Sequence, residues 1–371
     1  MNKSLSRRGF TKVLGAGAAY AALNPSFART LPALVANTPA PALVRLNSNE
    51  NPYGPSPMAV KAMTDAFSLA WRYPDEHEQS LIEMLAKHNR VKSDQILLGN
   101  GSGEVLKVAA AAFTGISKSL IAAVPTFEAI TTHAAVAGAE VIKIDLTSDY
   151  SHDLKKMLAA SRSAGLIYIC NPNNPTASIT PKEDLQKFIA GVPAQTMVLV
   201  DEAYHHYVES RDYESVIPLV SRHPNLIVAR TFSKVYSMAG LRCGYCVANP
   251  LMILAMRAQQ TWDSINIMAL VAAAASVNDD EQVKQGRRRN TEVKNYVYSE
   301  LDKAGYKYIP SHANFMMIDL RREVRPVIAA MRERNVQVGR VFPAMPNFMR
   351  VTIGTRPQME AFVSAFRAVM S

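Results

Sequence analysis

Leu226-Ile227-Val228-Ala229-Arg230-Thr231-Phe232-Ser233-Lys234 is the stretch from which the rest of the chain can be read. A mostly apolar run ends in a lysine flanked by hydroxyls, and Arg242 follows eight residues later. Continuous apolarity marks a strand buried on both faces. A lysine at the end of such a strand loses water. Burial lowers its pKa and makes its amine a nucleophile toward carbonyls. The neighbouring hydroxyls and Arg242 suit a phosphate.

Six similar β-rich runs lie around it, at 95–98, 119–123, 140–145, 165–170, 196–201 and 243–248. Helix signals fall between them. Residues 103–112 are Ala-rich, and Thr180-Pro181-Lys182-Glu183 reads as an N-cap with Pro at N1 and Glu at N3. Such alternation predicts an α/β fold: a large domain over 46–250 with a mostly parallel seven-stranded sheet and helices on both faces. After 250 the pattern changes to helix at 251–277 and 281–304, strand at 315–320 and 349–353, and a closing helix at 357–370. Residues 251–371 therefore read as a smaller α+β domain.

In open α/β sheets, ligands bind beyond the carboxyl ends of the strands. Three more runs fall there. Gly99-Asn100-Gly101-Ser102-Gly103-Glu104 offers close backbone approach and a helix N-terminus to an anion, or is a plain turn. Asn171-Pro172-Asn173-Asn174-Pro175-Thr176 is a stiff loop with fixed side-chain amides. Asp201-Glu202-Ala203-Tyr204 closes an apolar strand with a carboxylate, which is costly unless it meets a cation. A metal or a protonated ring nitrogen would serve. The nearby His205 and His206 are expected to point apart, which argues against a metal. Together the four runs ask for one ligand with a phosphate, a ring nitrogen, a phenolic oxygen and an aldehyde. Pyridoxal 5'-phosphate has all four. A dinucleotide-binding reading uses only the glycines.

Composition excludes several classes of protein. The chain has 371 residues, 48% hydrophobic, so disorder is excluded. Its three cysteines exclude a disulfide scaffold. No apolar stretch reaches the roughly 20 residues of a membrane span. The formal charge is +10, but four of the bases, Lys3, Arg7, Arg8 and Lys12, lie in 1–28 with no acid. The 37 remaining basic residues against 31 acidic leave +6. The Arg287-Arg288-Arg289 run lacks interleaved aromatics and reads as a solvated face, so no nucleic-acid partner is expected. Residues 1–28 have the layout of a secretory signal, with an apolar stretch at 13–23 and Ser26-Phe27-Ala28 at the cleavage point. Ser6-Arg7-Arg8-Gly9-Phe10-Thr11-Lys12 resembles a twin-arginine signal, which exports folded proteins. The expected location is periplasmic or secreted, or cytoplasmic if the signal is not used. Residues 29–45 read as an extended arm. Cys243 and Cys246 sit three apart on a strand and should face opposite ways, so they read as buried thiols and not as a redox pair.

The chain resembles the fold type I pyridoxal-phosphate aminotransferases, most closely the histidinol-phosphate group. The resemblance rests on the four runs and on Asn47-Ser48-Asn49-Glu50-Asn51-Pro52-Tyr53-Gly54-Pro55, Arg72-Tyr73-Pro74, Pro125-Thr126-Phe127, Gly240-Leu241-Arg242-Cys243-Gly244 and Arg350-Val351-Thr352-Ile353-Gly354-Thr355. It covers nearly all of 43–371. It implies that Lys234 bonds the cofactor's aldehyde and later shuttles the substrate proton, while Asp201 keeps the pyridine nitrogen protonated. Asn174 and Tyr204 would hold the phenolic oxygen, and Phe127 would stack on the ring. Ser102, Gly103, Thr231, Ser233 and Arg242 would hold the phosphate. Tyr73 would reach the phosphate of a neighbouring subunit, implying a homodimer. Arg350 would bind the substrate carboxylate, Arg340 an anion at its far end, and Asn49 the substrate. The implied reaction moves an amino group from a small donor to a 2-oxo acid such as 2-oxoglutarate. A decarboxylase or lyase on the same fold is the alternative. One departure is Ala177, where the family has Gly after Thr. If that position takes positive φ, alanine costs about 1 kcal/mol.

Overall fold

The computed structural model describes residues 43–371. The expected signal at 1–28 and all but the end of the arm lie outside these residues. The chain enters on a short strand β1 (Val44–Arg45), followed by helices α1 (Pro57–Ala66) and α2 (Asp75–Asn89). Then come β2 (Ile96–Gly99), α3 (Ser102–Phe113), β3 (Ser119–Val124), α4 (Ala129–Val136) and β4 (Val141–Asp145). They are followed by α5 (Leu154–Ala160), β5 (Ala164–Cys170), α6 (Lys182–Gly191), β6 (Met197–Asp201), β7 (Leu226–Thr231) and β8 (Gly244–Ala248). Strands β2 to β8 form one seven-stranded sheet in the order β2-β8-β7-β6-β5-β3-β4. Only β8 runs against its neighbours.

The sheet register creates the site. Cys170 pairs with Asp201, Thr231 with Gly244, and Gly244 with Gly99. The ends of β5, β6 and β7, the start of β8 and the end of β2 therefore lie along one edge. The chemistry-bearing runs begin there. Two apolar clusters cover the sheet. Ile167, Val198 and Val228 face one of them, and Leu166, Leu199 and Ile227 face the other. At roughly 25 cal/mol per Å² of apolar surface, burial on both faces holds these central strands strongly. Cys243 and Cys246 fall in opposite clusters and are free thiols.

The expected helix at 251–277 is two helices, α7 (Pro250–Arg257) and α8 (Ile267–Val277). The Asn266 side chain starts α8 by accepting from the Ala269 amide at 2.9 Å. Both helices pack on the seven-stranded sheet, through Ile253 and Met256 on one face and Leu270 and Ala273 on the other. Beyond them lie α9 (Asp280–Lys303), β9 (Lys307–Ile309), β10 (Phe315–Asp319), α10 (Val324–Glu333), β11 (Val336–Gln337), β12 (Phe348–Thr352) and α11 (Arg356–Met370). An antiparallel sheet, β12-β10-β9, packs with α9, α10 and α11 around Val297, Met316, Met331 and Phe362. Strand β11 pairs in parallel with β1.

Two local expectations are corrected. Thr180 does not cap α6. Pro181 takes the cap position, and the Thr180 hydroxyl lies 2.8 Å from Nδ1 of buried His152. His205 and His206 do not point apart. They share a short 3-10 turn, and their ring centroids are 3.6 Å apart. Among the basic run, Arg287 turns inward and donates from Nε to the His206 carbonyl at 2.8 Å.

Candidate active site

A cavity of about 400 Å³ opens at the sheet edge, and Lys234, Asp201, Asn174, Tyr204, Thr231, Ser233 and Arg242 line it. Ser102, Gly103, Phe127, Asn49, Arg340 and Arg350 line it too. Of the residues expected at the site, Tyr73 alone stands apart. Its side chain is exposed on the surface.

One end of the cavity is built for an anion. Ser102 and Gly103 form the first turn of α3, whose leading amides have no helical partner. Thr231 Oγ1 donates to Ser233 Oγ at 3.0 Å and accepts from the Ser233 amide at 3.1 Å, which fixes both hydroxyls. The Arg242 guanidinium is steadied by Nη1 donating to the Ala239 carbonyl at 3.0 Å. Two glycines make room. A Cβ on Gly101, which has φ +73°, would strike Arg242, and a Cβ on Gly244 would strike the Ser102 amide.

Asp201 is buried, and its Oδ2 accepts from the Tyr168 hydroxyl at 2.9 Å while Oδ1 accepts from the Ala203 amide at 3.1 Å. Burial pushes its pKa up to about 6, and these two donors hold it from rising further. A cation beside it would keep it ionised. Lys234 Nζ donates to the Asn49 carbonyl at 3.0 Å and lies 5.3 Å from the Tyr204 ring centroid. Burial first, then the positive field of Arg350, pulls its pKa down to about 8.

Arg350 projects from β12 into the cavity. Its Nη1 donates to Asn174 Oδ1 at 2.8 Å and its Nη2 to the Asn47 carbonyl at 2.7 Å, with Phe342 and Phe315 flanking it. Among the described residues its buried Nε has no partner. Arg340, at the mouth, is half-exposed, ion-paired with Glu128 and stacked on Phe342 at 4.4 Å.

The structure adds roles and participants that the sequence reading did not assign. Asn49 serves as a hub and not simply as a substrate contact. Its Nδ2 donates to Tyr204 Oη at 3.1 Å, its amide donates to Thr352 Oγ1 at 2.9 Å, and its carbonyl receives both Lys234 and Asn314. Tyr168 could have been noticed as the one aromatic in the 165–170 strand. Behind Asp201, Glu202 forms a buried ion pair with Arg230 at 2.8 Å, joined by Ser215 and the Val216 amide. Nothing in the sequence pairs those two residues in advance.

The donors fit pyridoxal phosphate. One cavity holds an amide-and-guanidinium cradle, a buried carboxylate, an amine of lowered pKa and a second arginine. A seven-stranded α/β sheet carrying that set suits a pyridoxal-phosphate enzyme, and the chain belongs to the aminotransferase class I and II family, whose profile matches residues 41–366. Among its relatives are the histidinol-phosphate aminotransferases of Moorella thermoacetica, 39% identical over 89% of this chain and 86% of that one, and of Symbiobacterium thermophilum, 38% identical over 88% and 91%. The crystal structure of histidinol-phosphate aminotransferase from Sinorhizobium meliloti in complex with pyridoxal-5'-phosphate is 25% identical, covers 88% of this chain and 90% of its own, and superposes with a TM-score of 0.82. The protein is thus a pyridoxal-phosphate-dependent transaminase. Of the two chemistries open from sequence, these relatives support transamination. No helix among the described residues is long and apolar enough to cross a membrane.

Proposed function

We propose that the protein transaminates a donor of the histidinol-phosphate kind, one that carries an anion at its far end, with 2-oxoglutarate as the amino acceptor. The observation that carries this is the presence of two arginines in one cavity, Arg350 buried and Arg340 at the mouth, beyond Lys234. When bound, the cofactor supplies an aldehyde for the amino group and a ring that accepts the electrons of the Cα–H bond. The chain's own residues do the rest. The α3 amides, Ser102, Thr231, Ser233 and Arg242 would hold the phosphate. Asp201 would keep the proton on the ring nitrogen. Asn174 and Tyr204 would face the phenolic oxygen, and Phe127 would cover the ring. Lys234, once its amine is free, would carry the Cα proton on Nζ. Arg350 would fix the acceptor's carboxylate through paired N–H donors, and Arg340 would take the far anion.

The same reading makes the protein a homodimer, with exposed Tyr73 donating to the phosphate of the partner's site. It keeps the two-domain division but moves the boundary from the expected 250 to between α8 and α9, because α7 and α8 pack on the large sheet; the smaller sheet with α9 to α11 is the small domain. The N-terminal segment reads as a twin-arginine export signal. Fractionation of cells carrying the full chain and a Arg7→Lys, Arg8→Lys variant tests export.

The central experiment gives the purified enzyme single donors with 2-oxoglutarate and measures glutamate. Histidinol phosphate should support turnover, and Lys234→Ala should lose at least about 10³-fold in rate. Turnover with aromatic amino acids but none with histidinol phosphate would refute the substrate proposal. Unchanged turnover in Lys234→Ala would refute the assignment of Lys234.

A further inference from the structure

Tyr168 lies two residues before the end of β5, on the face it shares with Leu166 and Cys170. Its ring is fully buried among Leu166, Leu199 and Leu106. A phenol in such a place needs an acceptor, and this one has Asp201 Oδ2 at 2.9 Å. The bond runs diagonally across adjacent parallel strands, since the register pairs Cys170, not Tyr168, with Asp201. Together with the Ala203 amide, it supplies all the side-chain hydrogen bonding that Asp201 receives among the described residues. Neither donor carries a charge. The phenol's own acidity is weakened by burial and by the carboxylate beside it, so it keeps its proton and stays a donor.

Two consequences follow for the carboxylate. Its rotamer is pinned from the core side, which aims it at the cavity. Its ionised form is favoured against the burial that would neutralise it. We propose that Tyr168 is a positioning residue for the cofactor's ring nitrogen, acting through Asp201 to hold that carboxylate aimed and charged. The proposal rests on the reading of Asp201 as the partner of that nitrogen.

The test compares two ligands on the apoprotein: pyridoxal phosphate, and an analogue in which carbon replaces the ring nitrogen. Both present the same phosphate, phenol and aldehyde. Only the first has a nitrogen for Asp201 to grip. Tyr168→Phe keeps the ring and its packing, and binding of the analogue reports whether the pocket is intact. Tyr168→Phe should weaken pyridoxal phosphate about tenfold, as expected for loss of a hydrogen bond to a charged group, and leave the analogue within about twofold. Equal losses for both ligands would show that Tyr168 merely fills the core, and no loss for either would show that it is idle. Either result overturns the proposal. Asp201→Asn is measured alongside. If it fails to separate the two ligands, the reading of Asp201 falls, and the proposal with it. If it separates them and Tyr168→Phe does not, only the role of Tyr168 falls.

Discussion

The proposed chemistry turns on one atom, the amine nitrogen of Lys234. That amine, with a pKa of about 8, is neutral in a pH range where an exposed lysine is still charged. In the apoprotein, Lys234 should react with a small amine-directed reagent at a rate that rises with pH and levels above about 8. Mass spectrometry of the modified peptide across a pH series checks this, and a midpoint near 10 would contradict it. In stability terms the sign is fixed. An amine with a depressed folded pKa costs most below about 8, and the cost fades as pH rises toward the unfolded value. At the mouth, the pair of Arg340 and Glu128 is half-exposed on both sides, so it contributes at most about 1 kcal/mol. Glu128→Gln should lower KM severalfold for donors with a far anion and leave donors without one unchanged, as steady-state kinetics on the two classes would show. Lys234 and Asp201 were legible from sequence because each is a polar residue at the end of an apolar run, and Arg350 was reached only through the resemblance. Glu128 was not legible, because its partner lies over two hundred residues away.

At the level of elements, the loop between β5 and α6 shows how a local rule can be right and incomplete. Ala177 has φ +58°, as the departure from the family pattern anticipated. Its methyl is fully buried in the main core. Relief of the left-handed strain by Ala177→Gly gains about 1 kcal/mol, but the lost methyl burial gives back about 0.8 kcal/mol and glycine's unfolded-state freedom more. Denaturant unfolding should therefore find the variant within about 1 kcal/mol of wild type, on the destabilised side. By contrast, Gly244→Ala puts a methyl against the Ser102 amide at the start of α3. It should weaken pyridoxal phosphate binding at least tenfold while the protein stays folded, as equilibrium titration with circular dichroism would show. The seven strands were legible because their apolar runs are continuous. The break between α7 and α8 was missed because Ala, Met and Leu dominate both flanks and outweighed the polar run from Gln259 to Ser264 and the cap at Asn266.

For the molecule as a whole, the buried pair of Glu202 and Arg230 ties β6 to β7 directly behind the site. Arg230→Ala leaves a buried carboxylate without its partner and should cost about 3–5 kcal/mol by denaturant unfolding. The three thiols bear on a different matter, the order of events in the life of the chain. Cys170, Cys243 and Cys246 are all buried, and burial pushes the last two up to about 12, so in the folded protein they are inert as nucleophiles. Cys243 and Cys246 are sealed on opposite sides of one sheet, so the native fold has no geometry in which they can be joined. An unfolded chain has no such barrier. If it met an oxidant first, a bridge across three residues would leave a strand unable to enter the sheet. The fold therefore works as its own antioxidant, provided that folding comes before oxidation.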